Sequence, residues 1–160
     1  MVILVAEMEV KIIGHIAYTR SVIIDEPNIQ HEIVTLGPVS VLPSFQKQGV
    51  GNALIRYSLE KARNMGYTDV CIYGDPRYYS RFGFRCAEKF DIKTADGKFA
   101  VALLALELCP KALEKVKGRF CEDPVFEVNQ DNSLFLKAHF LTKKRELLHK
   151  PIFYNIYFTR

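Results

Sequence analysis

The stretch Gln46-Lys-Gln-Gly-Val-Gly51 sets two glycines at the start of a long amphipathic segment. Glycines there let the backbone turn tightly and come close to a ligand. The first free N–H groups of a helix that begins there point outward, with the positive end of the helix dipole behind them. A phosphate or pyrophosphate is the natural guest of such a site. The spacing does not fit a P-loop, which needs Gly-Lys-Ser/Thr where this chain has Gly51-Asn52-Ala53. Nor does it fit a Rossmann fingerprint, which needs a third glycine and an acidic residue about 20 residues on. Taken alone, Q-x-x-G-x-G is as compatible with a tight structural turn as with a ligand loop.

Other chemistry-bearing residues exclude more than they promise. Cys71, Cys86, Cys109 and Cys121 are irregularly spaced, with no C-x-x-C and no nearby His pair, so no zinc or redox motif is indicated and no metal is expected. Four reduced thiols in a cytoplasmic chain is the expectation. The net charge of +4 is concentrated in residues 137–160, which hold six basic residues and one acid, Glu146. The remainder is close to neutral, so a solvated basic tail is expected rather than a nucleic-acid arm. The longest apolar run, residues 99–106, is far short of the roughly 20 a membrane span needs. Residues 1–6 lack the positive flank and cleavage site of a secretory signal. With 49% hydrophobic and 25% charged residues among 160, one soluble globular domain is expected.

The elements that must position the glycine loop follow from periodicity. Residues 2–7 and 12–24 read as Val- and Ile-rich strands, and residues 25–30, with Pro27 and Asn28, as a loop. Residues 33–41 form a near-continuous apolar run, expected to be a strand buried on both faces, with a local break in pairing at Gly37-Pro38. Val50, Leu54, Ile55, Leu59 and Ala62 recur at helical spacing and predict a helix over 50–65, closed by Gly66. Residues 70–73 read as a short strand, and Asp75-Pro76 as the capped start of a short helix. Residues 84–92 and 99–108 are expected to form a hairpin across the turn at 94–97, and residues 110–116 a helical turn. Strand, helix, strand between 33 and 73 makes one parallel βαβ unit flanked by antiparallel strands.

The loop does not stand alone. The stretch from Leu36 to Ile55, read with Gly74-Asp-Pro-Arg-Tyr-Tyr-Ser-Arg-Phe-Gly-Phe84, resembles the GNAT superfamily of acyl-CoA-dependent N-acetyltransferases. The second motif looks like the YhbS-like subgroup, which Leu108-Cys-Pro-Lys-Ala-Leu113, Gly118 and Pro124-Val-Phe126 also fit. The resemblance covers residues 2–128 and implies an α/β (α+β) fold: a mixed, mostly antiparallel sheet with one central parallel βαβ unit, splayed central strands and helices on both faces. It implies acetyl-CoA as co-substrate, with backbone groups of Val39, Ser40 and Val41 meeting the pantetheine arm. The segment Gln46, Lys47, Gln48, Gly49, Val50, Gly51 and Asn52 would hold the pyrophosphate, the amides of Gln48 to Asn52 cradling it. Tyr79, four residues before Gly83, sits where the family often places its general acid, against the cofactor. Glu32 and His31 lie where family members sometimes place a basic carboxylate, and Asp25 and Glu26 are loop alternatives. For all four the bland reading is a solvated surface charge. Lys47 and Arg81 would assist the phosphates or serve as surface charges.

The implied activity is transfer of an acetyl group to a primary amine by direct attack in a ternary complex, the acceptor being a small molecule or a peptide amine. The alternative is a non-catalytic acyl-CoA-binding module. It arises because the family's usual first strand and helices are not found ahead of Met1. Residues 129–160 match nothing in the family but carry large apolar groups, Leu134, Phe135, Phe140, Leu147, Ile152, Phe153 and Tyr157 among them. Exposing them forgoes roughly 1.5–3 kcal/mol each. This extension is therefore expected to pack on the domain 1–128 or on a partner chain, as in a homodimer, and to cover the sheet edge at the N-terminus.

Overall fold

Valine- and isoleucine-rich stretches pair into three long strands, β1 (Val2–Met8), β2 (Lys11–Asp25) and β3 (Ile29–Val41), joined antiparallel in sequence order. The structure is a computed structural model that describes residues 2–123 and the backbone of residues 152–157. Helix α1 (Val50–Asn64) leads to β4 (Asp69–Tyr73), which pairs parallel with β3 and completes the βαβ unit. A one-turn helix α2 (Pro76–Tyr79), short strands β5 (Arg85–Cys86) and β6 (Ile92–Lys93), then β7 (Leu103–Glu107) and β8 (Gly118–Cys121) follow. Strand β9 (Ile152–Tyr157) pairs parallel with β1, from Val2 opposite Ile152 to Glu7 opposite Tyr157. The order across the sheet is β5-β7-β4-β3-β2-β1-β9, with β8 on β2 and β6 on β8. The apolar residues of the tail outside β9, from Leu134 to Leu148, lie outside the described residues.

Two cores form, one on each face. On the first, Leu54, Ile55 and Ala62 of α1 pack on Leu4, Ile16, Tyr18, Val34, Leu36, Val70 and Ile72. Burying each large aliphatic side chain contributes about 1.5–3 kcal/mol, so this face anchors α1 firmly. On the second, Ile23, Ile33, Cys71, Leu103 and Ala105 are covered by Ala87, Ile92, Leu113 and Phe120. Among the described residues the helical cover of this second face is a single 3-10 turn, Ala87–Phe90.

Several sequence expectations are corrected. The strand expected over 84–92 is interrupted by the 3-10 turn Ala87–Phe90 and by Asp91, whose backbone is left-handed (φ 54°). Only Arg85 and Cys86 pair with β7, while β6 turns away to pair parallel with β8. Residues 110–116 form turns rather than a regular helix. Strand β3 begins earlier than expected, because Ile29 and Gln30 pair with Asp25 and Ile24. It is buried on both faces only over its middle, residues 33–36. The break at Gly37-Pro38 is a bulge. Ile16 stands opposite Val39 and Tyr18 opposite Leu36, so two residues of β3 face one of β2. Among the described residues no helix is long and apolar enough to cross a membrane.

Candidate functional site

The parallel ladder between β3 and β4 is two residues long: Val34 opposite Val70 and Thr35 opposite Cys71. β3 runs on to Val41 and β4 to Tyr73 without pairing each other, so backbone N–H and C=O groups line a gap between them. Unpaired main-chain groups are costly unless something serves them. Val39 and Val41 pack their side chains toward the α1 core. The exposed Ser40 hydroxyl meets His15 Nδ1 of β2 at 2.8 Å. Burial lowers the His15 pKa and favours its neutral ring.

The glycine loop closes the end of this gap. Gln46 Nε2 donates to the Val41 carbonyl at 3.0 Å, and Gln48 Nε2 to the Ser44 carbonyl at 2.8 Å. Both side chains therefore turn back to brace the loop, while Lys47 stays exposed. Gly49 caps α1 with a left-handed backbone (φ 88°), a conformation glycine adopts without strain. No side chain caps this N-terminus and its first turn holds no acid, so its leading N–H groups face outward. Val50 is buried and anchors the first turn, 3% exposed. Gly51 lies beneath Tyr78: a Cβ there would sit 3.5 Å from the Tyr78 hydroxyl and 3.7 Å from Val41. That hydroxyl donates to Asn52 Oδ1 at 3.2 Å and ties the loop to α2.

On the far side of the gap an aromatic cluster takes its place from a capped turn. Asp75 accepts from the Arg77 amide at 2.9 Å and fixes the start of α2. The Tyr79 ring then stands edge-on to Tyr78 (centroids 5.0 Å) and Phe84 (5.8 Å). It lies over Gly74 so closely that a Cβ there would fall 2.4 Å from Tyr79 Cε2. Burial, and secondarily Tyr78, raises the Tyr79 pKa above the ordinary phenol value. Arg81 stacks on Tyr78 at 4.7 Å, which holds its charge over the ring.

The sequence-predicted carboxylate does not join this cluster. By the β3–β4 register Glu32 is level with Thr68, and Tyr73 lies about 17 Å further along β4 at 3.3 Å per residue. Glu32 is exposed on β3 close enough to Arg20 for their charges to interact. His31 is likewise engaged at the paired end, its Nε2 2.9 Å from Asp69 Oδ2. Asp25 and Glu26 are further still from the gap, at the β2–β3 turn. The Cys71 thiol is buried, and burial pushes its pKa far up, so it stays protonated. Among the described residues no group of His, Cys, Asp and Glu could hold a metal ion. Sequence reasoning missed His15 and Asn52's partner Tyr78, because strand register and the docking of α2 decide both contacts.

Residues 1–86 match the family described as an acetyltransferase (GNAT) domain, more than half of the chain. The chain belongs to the GNAT family. Its relatives include the uncharacterized N-acetyltransferase YjhQ of Escherichia coli K12, 41% identical over an alignment of 88 residues that covers 52% of this GNAT chain and 46% of the relative. The uncharacterized N-acetyltransferase YhbS of the same strain is 29% identical over 110 residues, 69% of this chain and 64% of its own. The crystal structure of YhbS from E. coli in complex with CoA superposes with a TM-score of 0.66 at 28% identity, covering 75% of this chain and 65% of that one. A GNAT acetyltransferase from Brucella melitensis in complex with acetyl-CoA gives 0.55 at 29% identity, covering 72% and 61%. The GNAT chain thus spans about half to two-thirds of the length of these relatives. Its mixed, mostly antiparallel sheet with a central βαβ unit is the fold of these neighbours.

Proposed function

We propose that the chain is an N-acetyltransferase that moves an acetyl group from acetyl-CoA to a primary amine, by direct attack while both are bound. The observation that carries this reading is the uncapped N-terminus of α1 on a braced glycine loop, set beside a parallel ladder that stops at Thr35 and Cys71. The relatives crystallised with CoA and acetyl-CoA support it. The residues fit the ligand's two recognisable parts. The amides from Gln48 to Asn52 and the helix dipole suit a diphosphate. The backbone groups of residues 39–41 that face the gap rather than β2, the Val41 carbonyl held by Gln46 aside, suit an extended amide-bearing arm, which pairs as a strand would.

Bound there, acetyl-CoA supplies an activated thioester next to the gap. The chain's own task is then to position the acyl group and manage two protons. An amine of pKa near 10.4 is protonated at pH 7, and reaching its neutral form costs about 4.6 kcal/mol. As the C–N bond forms and the C–S bond breaks, the amine loses a proton and the departing sulfur gains one. Tyr79 is the proposed acid at the sulfur. A phenol is a weaker acid than a thiol by roughly 2 kcal/mol, and the burial of Tyr79 widens that difference. The proton therefore moves as the sulfur becomes basic, not before. Glu32, about 17 Å of strand away from Tyr73, acts on this site only through a chain of waters, and the amine proton leaves toward solvent.

Calorimetry with CoA, run beside thiol release from acetyl-CoA over a panel of amines, tests the reading. Micromolar binding with turnover on at least one amine is expected, and absence of CoA binding overturns it. Binding with no turnover on any amine identifies an acyl-CoA-binding module instead. Tyr79→Phe is expected to lower turnover roughly 100-fold while sparing CoA affinity. Because its pKa is raised, Tyr79 keeps its proton past the ordinary phenol value, so any alkaline fall in rate that it causes lies above about pH 10.

A further inference from the structure

We propose that the acceptor amine binds on the second face of the sheet, opposite α1, as a primary ammonium carried on an apolar arm, with the Glu122 carboxylate as its anchor and the Tyr73 ring as its wall. This rests on the acetyltransferase reading and names the substrate class for it. The gap between β3 and β4 opens to both faces, but its first face is filled by α1 and the cluster of Tyr78, Tyr79, Phe82 and Phe84. A second substrate reaches the gap from the other side without displacing that cluster.

The second face changes character beside the gap. Most of it is aliphatic, yet Thr19, Ser21 and Thr35 put three buried hydroxyls together where the ladder ends. Thr35 Oγ1 donates to Ser21 Oγ at 2.7 Å, which fixes both on one face, and Thr19, two residues from Ser21, shares it. Thr19 Oγ1 is the odd member: the residue is 3% exposed and this oxygen has no hydrogen-bond partner among the described residues. Leaving a buried polar atom unserved costs about 1–3 kcal/mol, so this floor is kept polar at the expense of stability.

The mouth over this floor is aromatic and acidic. Tyr73 ends β4 on this face, 44% exposed, its ring 6.0 Å from Phe120. The loop holding the exposed Phe99 and Val101 abuts it through the Gly74 amide, which donates to Ala102 at 2.8 Å. Strand β8 delivers Glu122 to the same place. The following amide, Asp123 N, donates to Ser21 Oγ at 3.3 Å, and Tyr73 feels the charges of Glu122 and Asp96. Asp96 is already paired with Lys98 at 2.8 Å. No cation pairs with Glu122 among the described residues. A carboxylate with no cation on it among the described residues, beside a half-exposed aromatic ring, suits an ammonium group with an apolar arm, combining charge-assisted hydrogen bonding with cation–π attraction.

Calorimetry on the full chain saturated with CoA, at pH 7, compares phenethylamine with its uncharged analogue 2-phenylethanol. The wild-type chain is expected to bind the amine roughly tenfold more tightly than the alcohol. Glu122→Gln is expected to equalise the two while leaving CoA affinity unchanged, which also establishes that the variant folds. Glu88→Gln, removing an exposed acid on the Ala87–Phe90 turn, keeps the preference. A wild-type chain that does not distinguish amine from alcohol overturns the proposal, as does a Glu122→Gln variant that still does. Failure of CoA to bind sinks the acetyltransferase reading separately, because the amine preference is then read on the free chain.

Discussion

The two ends of the β3–β4 pair behave as opposites. At one end Asp69, 1% exposed, holds His31 at 2.9 Å and accepts from the Thr68 hydroxyl at 2.9 Å. At the other the strands part after Thr35 and Cys71, and their facing backbone groups no longer pair with each other. One end uses side chains to close the sheet where no chemistry is needed. The other withholds main-chain pairing, where the proposed function places the cofactor's arm. On the proposed function, stability and binding then sit at opposite ends of the same short ladder, and they should respond separately to substitution.

The largest expected effect breaks the closed end. Asp69→Ala removes two charge-assisted hydrogen bonds and is expected to cost about 3 kcal/mol in urea unfolding, while CoA affinity below the transition is kept. If CoA affinity fell in proportion to stability, the two ends would not be separable. Next comes Gly14→Ala at the open end. Its Cβ would fall 2.8 Å from the Ser40 carbonyl and 3.1 Å from Leu54, so β3 has to shift. About 2 kcal/mol of destabilisation is expected, with a loss of CoA affinity that Asp69→Ala does not show. The smallest effect sharpens the comparison through pH. Burial lowers the His15 pKa, so the unfolded chain binds this proton more readily than the folded one. The contribution is complete above pH 6.5 and is lost as pH falls below it. Thermal unfolding followed between pH 5 and 7.5 should show a slope that His15→Gln reduces.

What the sequence could convey divides along the same line. The glycine loop, the periodicity of α1 and the Asp75 cap are local, and each is set by a few neighbouring residues. They were legible for that reason. The hairpin expected from residues 84–92 and 99–108 fails because apolar alternation cannot register Asp91's left-handed turn, nor that β8 offers β6 a better partner. Glu32 enters as a candidate from the family resemblance alone. Its separation from Tyr73 along the strands follows from the parallel register of Val34 with Val70, which no single segment encodes. The polar floor of Thr19, Ser21 and Thr35 is assembled from two strands, so none of its members stands out alone.

The bulge at Gly37-Pro38 has a consequence for how this stretch can change. Before it, even-numbered positions such as Val34 and Leu36 turn toward α1; after it, the odd-numbered Val39 and Val41 do. The extra residue works as a frameshift in space, exchanging the parity of the strand. Straightening the strand here at constant length would rotate Ser40 inward and both valines out, undoing the α1 contact and the Ser40–His15 bond at once. Deleting Pro38 would only pair Gly37 with Ala17 and leave them in place. With the residues numbered as they are, it is this kink that holds both valines on α1 and Ser40 beside His15.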